Sequence, residues 1–109
     1  MLMVKTAVIE IEKNNVPEEG LLPLEQDGHE VAVCKVGQAY FAFHDNCTHE
    51  EWRLSDSYMV DGHVVCSLHG AMFDPVTGAC KRGPACDPLR MYKVVEEGEK
   101  LFIDLENEQ

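Results

Sequence analysis

The sequence predicts an all-β fold, an antiparallel sandwich or barrel that carries a loop-rich subdomain in the middle of the chain. Turn dipeptides recur at Asp27-Gly28, Gly37-Gln38, Asp61-Gly62 and Glu97-Gly98, and segments rich in valine and aromatic residues lie between them. No long stretch keeps the 3.6-residue period of an amphipathic helix. Together these observations favour β-strands over a helical bundle.

The clearest strand pair covers residues 29–36 and 38–44, where valine and aromatic side chains flank the tight turn at Gly37-Gln38. Further strands are predicted over residues 5–11, 59–60, 63–66, 91–96 and 101–105, and residues 16–20 predict one helical turn. Between residues 45 and 83 the strand signals thin out, and Cys, His, Gly and Pro accumulate. This subdomain is therefore expected to hold a site mounted on a β scaffold.

The length of 109 residues predicts a single domain spanning 1–109. Its 20 acidic and 9 basic residues give a formal net charge of −11. Nucleic acid and anionic membrane surfaces are excluded as partners, since binding to them depends on Lys and Arg. Two explanations of the acidity remain open. It steers a partner with a positive patch toward the chain, or it only keeps the protein in solution.

The chain has no apolar run long enough for a signal peptide or for a membrane helix, which needs about 20 residues. We therefore expect a cytoplasmic protein. Its five cysteines are an odd number, and without an export signal they indicate metal ligands and free thiols rather than a disulfide framework. Cys34 is expected to be a buried apolar side chain. Cys80 and Cys86 lie on either side of Gly83-Pro84 and could form a disulfide, but a reducing cytoplasm favours free thiols.

The candidate ligands are Cys47 and His49, a C-x-H element, and Cys66 and His69, a C-x-x-H element 16 residues further on. They lie on two loops, here called the first ligand loop (residues 47–52) and the second ligand loop (residues 66–70). Two thiolates and two imidazoles suit a [2Fe–2S] cluster in which the cysteines bind one iron and the histidines the other. A single zinc ion would use the same side chains, but zinc motifs usually begin with two closely spaced cysteines.

With these ligands in place, the sequence resembles the Rieske ferredoxins, and in particular the small ferredoxins that serve ring-hydroxylating dioxygenases. The resemblance spans residues 5–105 and includes Gly70, Phe73-Asp74, Thr77-Gly78, Gly83-Pro84-Ala85, Pro88-Leu89 and Tyr92. It implies the Rieske iron–sulfur fold, with one [2Fe–2S] cluster bound by the four candidate ligands. It also implies that Gly83-Pro84 belongs to a proline loop that shields the cluster, while the histidine edges reach solvent.

The resemblance further implies a low reduction potential. High-potential relatives have an additional cysteine in each ligand loop, and these two cysteines form a disulfide. This chain has Trp52 and Leu68 at those positions, so it cannot form that disulfide. They also have serine and tyrosine hydroxyls that bond to the cluster sulfurs, where this chain has Ala71 and Phe73. Without these donors we expect a potential of about −150 mV rather than about +300 mV. The ring of Trp52 is expected either to pack beside the cluster or to face a docking partner.

No catalytic group is recognisable, so the chain is expected to be an electron-transfer protein rather than an enzyme. The resemblance implies a monomeric carrier of single electrons from a flavin- or NAD(P)H-dependent reductase to a terminal Rieske non-haem iron oxygenase of the aromatic ring-hydroxylating type. The alternative is a small Rieske-like subunit of a larger redox enzyme such as nitrite reductase. A zinc-stabilised binding domain is the third possibility.

Overall fold

A computed structural model describes residues 8–47, 53–66, 70–83 and 87–108. These residues form ten strands and two short 3-10 turns. The strands are β1 Val8–Glu12, β2 Leu22–Gln26, β3 His29–Val36, β4 Ala39–His44, β5 Tyr58–Val60, β6 His63–Val65, β7 Met72–Phe73, β8 Cys80–Arg82, β9 Met91–Glu97 and β10 Lys100–Glu108; the 3-10 turns are Lys13–Asn15 and Leu54–Asp56. Among the described residues, no helix is long and apolar enough to span a membrane.

The strands form two antiparallel sheets, which confirms the predicted all-β fold. The larger sheet has the order β1-β10-β9-β4-β3-β2, and the smaller one has the order β5-β6-β7-β8. The smaller sheet falls within residues 58–82. In the sequence, its strands β5 and β6 lie between the two ligand loops, and β7 and β8 follow the second ligand loop. We propose that residues 1–109 form one domain, with a cluster-binding subdomain over about residues 45–83.

Strand β3 is buried on both faces, because successive side chains of a strand point in opposite directions. Val31 and Val33 face one core, Ala32 and Cys34 face another, and all four are fully buried. The sheet core lies within the larger sheet and contains Ile9, Val16, Val31, Val33, Ala42, Tyr92, Leu101, Ile103 and Leu105. The inter-sheet core joins the two sheets and contains Ala32, Cys34, Phe43, Cys47, Leu54, Val64, Cys66, Ala71, Phe73, Leu89 and Met91.

Cys34 is fully buried in the inter-sheet core, which confirms its expected role as an apolar side chain. Burial disfavours the charged thiolate and raises the pKa of Cys34 to about 12. Because the thiolate is the form of cysteine that reacts and binds metals, burial disfavours both at Cys34.

The structure adds three strands that were not predicted, β2, β7 and β8, and it places one turn elsewhere. Strand β2 contains Pro23 and lies at the edge of its sheet, where proline is tolerated. The helical turn predicted over residues 16–20 is wrong, since the turn lies at Lys13–Asn15. Val16 is extended, with φ −88° and ψ 121°, because the following Pro17 disfavours a helical conformation in the residue before it.

Candidate metal centre

The backbone that leads into the first ligand loop is fixed from two sides. At the end of β4, the His44 N–H donates to the carbonyl of Arg90 at 2.8 Å. The next residue, Asp45, donates its N–H to the carbonyl of Glu30 on β3 at 2.9 Å. The position of Cys47 is thus set by the larger sheet and by the segment that precedes β9.

The return of the first ligand loop is held by the carboxylate of Asp45. Its Oδ1 accepts a hydrogen bond from the Ser55 N–H at 2.8 Å, and its Oδ2 accepts one from Ser55 Oγ at 2.6 Å. Arg53 Nε lies 3.7 Å from Oδ2. Leu54, between these two partners, is fully buried in the inter-sheet core. Both ends of the first ligand loop are therefore tied together around residues that the structure does not describe, 48–52.

The second ligand loop is closed by its own backbone. The Cys66 N–H donates to the carbonyl of Ala71, and the Gly70 N–H donates to the carbonyl of Cys66, both at 2.8 Å. Arg82 on β8 adds Nε and Nη2 contacts of 3.4 and 3.3 Å to the Gly70 carbonyl. These bonds fix both ends of the second ligand loop, at Cys66 and at Gly70.

The turn between β7 and β8 explains the Phe73-Asp74 and Thr77-Gly78 motifs. Asp74 Oδ1 accepts a bond from the Val76 N–H at 2.9 Å, and the Asp74 carbonyl accepts one from Gly78 at 2.6 Å. Gly78 has φ 85°, and a Cβ there would lie 3.0 Å from the carbonyl oxygen of Leu89. Because Leu89 also donates to the Gly78 carbonyl at 2.7 Å, this turn anchors the segment that leads into β9.

The two candidate cysteine ligands lie in the same apolar cluster. Cys47 and Cys66 are 2% and 1% exposed, both belong to the inter-sheet core, and neither forms a disulfide. His49 and His69 lie outside the described residues, and among those described no group of three or more His, Cys, Asp or Glu could hold a metal. Two shielded thiols supplied by separate loops fit the thiolate half of a [2Fe–2S] site.

Two apolar side chains follow the second ligand loop in the inter-sheet core. Ala71 and Phe73 are both fully buried there, in the same cluster as the candidate cysteines. Neither side chain has a hydroxyl group. At the two positions where the resemblance places the hydroxyl donors of high-potential relatives, this chain thus has side chains that cannot donate a hydrogen bond.

The expectation that Cys80 is a free thiol is wrong, because Cys80 is disulfide-bonded. The expectation rested on the redox state of the cytoplasm, which says nothing about how close two sulfurs lie in the fold. A disulfide requires Cα atoms within about 7 Å, a condition set by tertiary structure. Cys86 lies outside the described residues.

Comparison with known proteins identifies relatives over most of the chain. The family described as Rieske [2Fe-2S] domain matches residues 6–93. The ferredoxin component of biphenyl 2,3-dioxygenase from Rhodococcus jostii is 43% identical over 86 residues, or 79% of this chain and 80% of that protein. A biphenyl dioxygenase ferredoxin subunit from a Pseudomonas species is 40% identical over 92 residues, or 84% of each. The structure of Sphingomonas yanoikuyae B1 ferredoxin has a TM-score of 0.79 at 30% identity, covering 85% of this chain and 92% of that one.

Proposed function

The chain belongs to the Rieske [2Fe-2S] domain family, and we propose that Cys47, His49, Cys66 and His69 bind its single cluster. The observation that carries this assignment is the pair of buried thiols, Cys47 and Cys66, that two clamped loops bring into one core. Each loop then supplies one histidine at the spacing the sequence sets. In this arrangement the cysteines bind one iron and the histidines bind the other.

When bound, the [2Fe–2S] cluster supplies a centre that takes up and releases one electron. The protein's own residues shield and hold that centre. The inter-sheet core excludes water from the sulfurs of Cys47 and Cys66, while the loop clamps limit movement of the backbone on either side of them. A site held in this way changes little in geometry as its charge changes, which suits electron transfer.

The chain is an electron carrier, and we propose that it takes electrons from a flavin- or NAD(P)H-dependent reductase and gives them to a terminal Rieske non-haem iron oxygenase. The support is that relatives 43% and 40% identical are named as ferredoxin components of dioxygenases. We further propose that it works as a monomer in the cytoplasm. The nitrite reductase subunit is not favoured, since these relatives belong to oxygenase systems. The zinc domain is not favoured, because the matching family binds [2Fe–2S].

Reconstitution with purified partners tests the proposed carrier role. We expect oxidation of an aromatic substrate by a biphenyl-type dioxygenase and its reductase to require this protein and to saturate as its concentration rises. The protein alone is expected to migrate as one 12.3 kDa chain in size-exclusion chromatography. Stable copurification with a larger enzyme, together with no transfer to any oxygenase, would support the subunit alternative instead.

The acidic surface predicts that electron transfer weakens as salt is added. With a net charge of −11, the chain is steered toward a positive patch on its partner, and this attraction is screened over about 10 Å at 0.1 M salt and about 3 Å at 1 M. Stopped-flow measurement of the second-order rate constant against ionic strength should therefore show a decrease. A rate constant that stays level would mean that the acidity serves solubility and not docking.

A further inference from the structure

Asp45 is a charged side chain buried in a protein whose other acidic groups lie mainly at the surface. Among the described residues, Asp45 is the single buried polar or charged residue, at 1% exposure. Burying a carboxylate is costly unless hydrogen bonds or an opposite charge compensate for it. The side-chain partners of Asp45 are Ser55 and Arg53, and the first ligand loop lies between Asp45 and these partners.

The contacts fix Asp45 in one orientation. Ser55 binds both carboxylate oxygens, through its N–H at 2.8 Å and its hydroxyl at 2.6 Å. Arg53, whose side chain is 53% exposed, adds a positive charge 3.7 Å from Oδ2. The backbone N–H of Asp45 donates to Glu30 on β3 at 2.9 Å, so the carboxylate is anchored to the larger sheet. A side chain held at both ends in this way links the sheet to the return of the loop.

We propose that Asp45 is a positioning residue for the cluster: its carboxylate closes the neck of the loop that carries Cys47 and His49. This inference rests on the proposed ligand assignment. The second ligand loop is closed by backbone bonds between Cys66 and Ala71 and between Gly70 and Cys66. The ends of the first ligand loop are instead joined by hydrogen bonds from Ser55 to the Asp45 carboxylate, and single substitutions can remove these bonds.

The charge of Asp45 gives this role a second consequence. Asp45 is two residues from Cys47 in the sequence, and its buried carboxylate is poorly screened by solvent. Reduction adds one negative charge to the cluster, so a fixed anion nearby disfavours the reduced state. Removing the carboxylate charge leaves the Arg53 cation without its anion, and this single change in charge raises the reduction potential.

The test compares three variants of the full-length, cluster-loaded protein. Asp45→Asn keeps the size of the side chain but removes its charge, and Ser55→Ala removes one hydrogen bond and keeps the charge. Asp56→Asn is the matched control, since Asp56 is exposed and adjacent to Ser55. The readouts are the midpoint potential, the rate of cluster loss to a chelator, and the thermal unfolding temperature.

We expect Asp45→Asn to raise the midpoint potential and to speed cluster loss about tenfold, the lower end of what outer-shell substitutions cost metal sites. Ser55→Ala should speed cluster loss and leave the potential near the wild-type value, and Asp56→Asn should change neither. If Asp45→Asn fails to fold, Ser55→Ala still tests the clamp through cluster loss.

Wild-type rates of cluster loss in both Asp45→Asn and Ser55→Ala would overturn the proposal. A lower unfolding temperature in Asp45→Asn, with its midpoint potential and its rate of cluster loss both at the wild-type value, would also overturn the proposal, because that result describes only a structural residue. Failure of the underlying ligand assignment is seen separately, as wild-type protein that contains no iron and no acid-labile sulfide.

Discussion

Replacing either His49 or His69 with alanine is expected to abolish the [2Fe–2S] cluster, with loss of its visible absorption and of its signal after reduction by dithionite. Under the proposed assignment, each substitution removes one of the two imidazole ligands of one iron, and alanine offers no donor in its place. Iron and acid-labile sulfide analysis of the purified variants measures the loss. The matched control is His63→Ala, because His63 lies on β6 with its Nδ1 3.1 Å from the Asp61 carbonyl and is not a candidate ligand.

Cysteine at the same two positions separates loss of a ligand from loss of structure. The double variant His49→Cys with His69→Cys supplies four thiolates, which is the ligand set of a plant-type cluster. We expect this variant to retain a [2Fe–2S] cluster whose potential moves toward about −400 mV, since thiolates add negative charge where imidazoles were neutral. Full cluster content in both alanine variants would show that His49 and His69 are not ligands.

The second large effect concerns the reduction potential of the wild-type protein. We expect a midpoint near about −150 mV, at the bottom of the Rieske range that extends to about +300 mV. Ala71 and Phe73 are fully buried beside the second ligand loop and cannot donate a hydrogen bond. The net charge of −11 also disfavours the added electron, although solvent screens much of this effect. Protein-film voltammetry measures the potential directly.

Phe73→Tyr tests the physical cause of that low potential. A tyrosine hydroxyl that reaches a cluster sulfur stabilises the reduced state, so the midpoint should rise in this variant. Phe102→Tyr on β10, in the larger sheet, is the control and should leave the midpoint unchanged. A clearly positive potential in the wild-type protein would contradict the account, whatever the variants show.

Much of the scaffold could be predicted from the sequence because its signals are local. The hairpin of β3 and β4 was predicted from valine and aromatic residues on either side of Gly37-Gln38. Asp61 and Gly62 have φ values of 50° and 77°, the left-handed conformations of a type I′ turn, and they join β5 to β6 as their sequence suggests. The ligand motif was recognisable because its four residues stand at a specific spacing.

The remaining features depend on distances through space that the sequence does not encode locally. Asp45 and Ser55 are ten residues apart, and nothing in their spacing shows that one buried carboxylate holds both ends of a loop. Arg82 contacts the Gly70 carbonyl from a strand too short to be recognised by alternation. The disulfide of Cys80 was not predicted because the expected reducing compartment was given more weight than the positions of Cys80 and Cys86 on either side of Gly83-Pro84.

We propose that two histidine nitrogens, from His49 and His69, bind one iron of this protein's [2Fe–2S] cluster. Pulsed electron paramagnetic resonance of the reduced protein, labelled with nitrogen-15 only in histidine, tests it most directly. We expect hyperfine coupling from two histidine nitrogens in the wild-type protein. If His49→Cys or His69→Cys alone retains its cluster, that variant should show coupling from one histidine nitrogen. A reduced cluster with no histidine coupling would contradict the account.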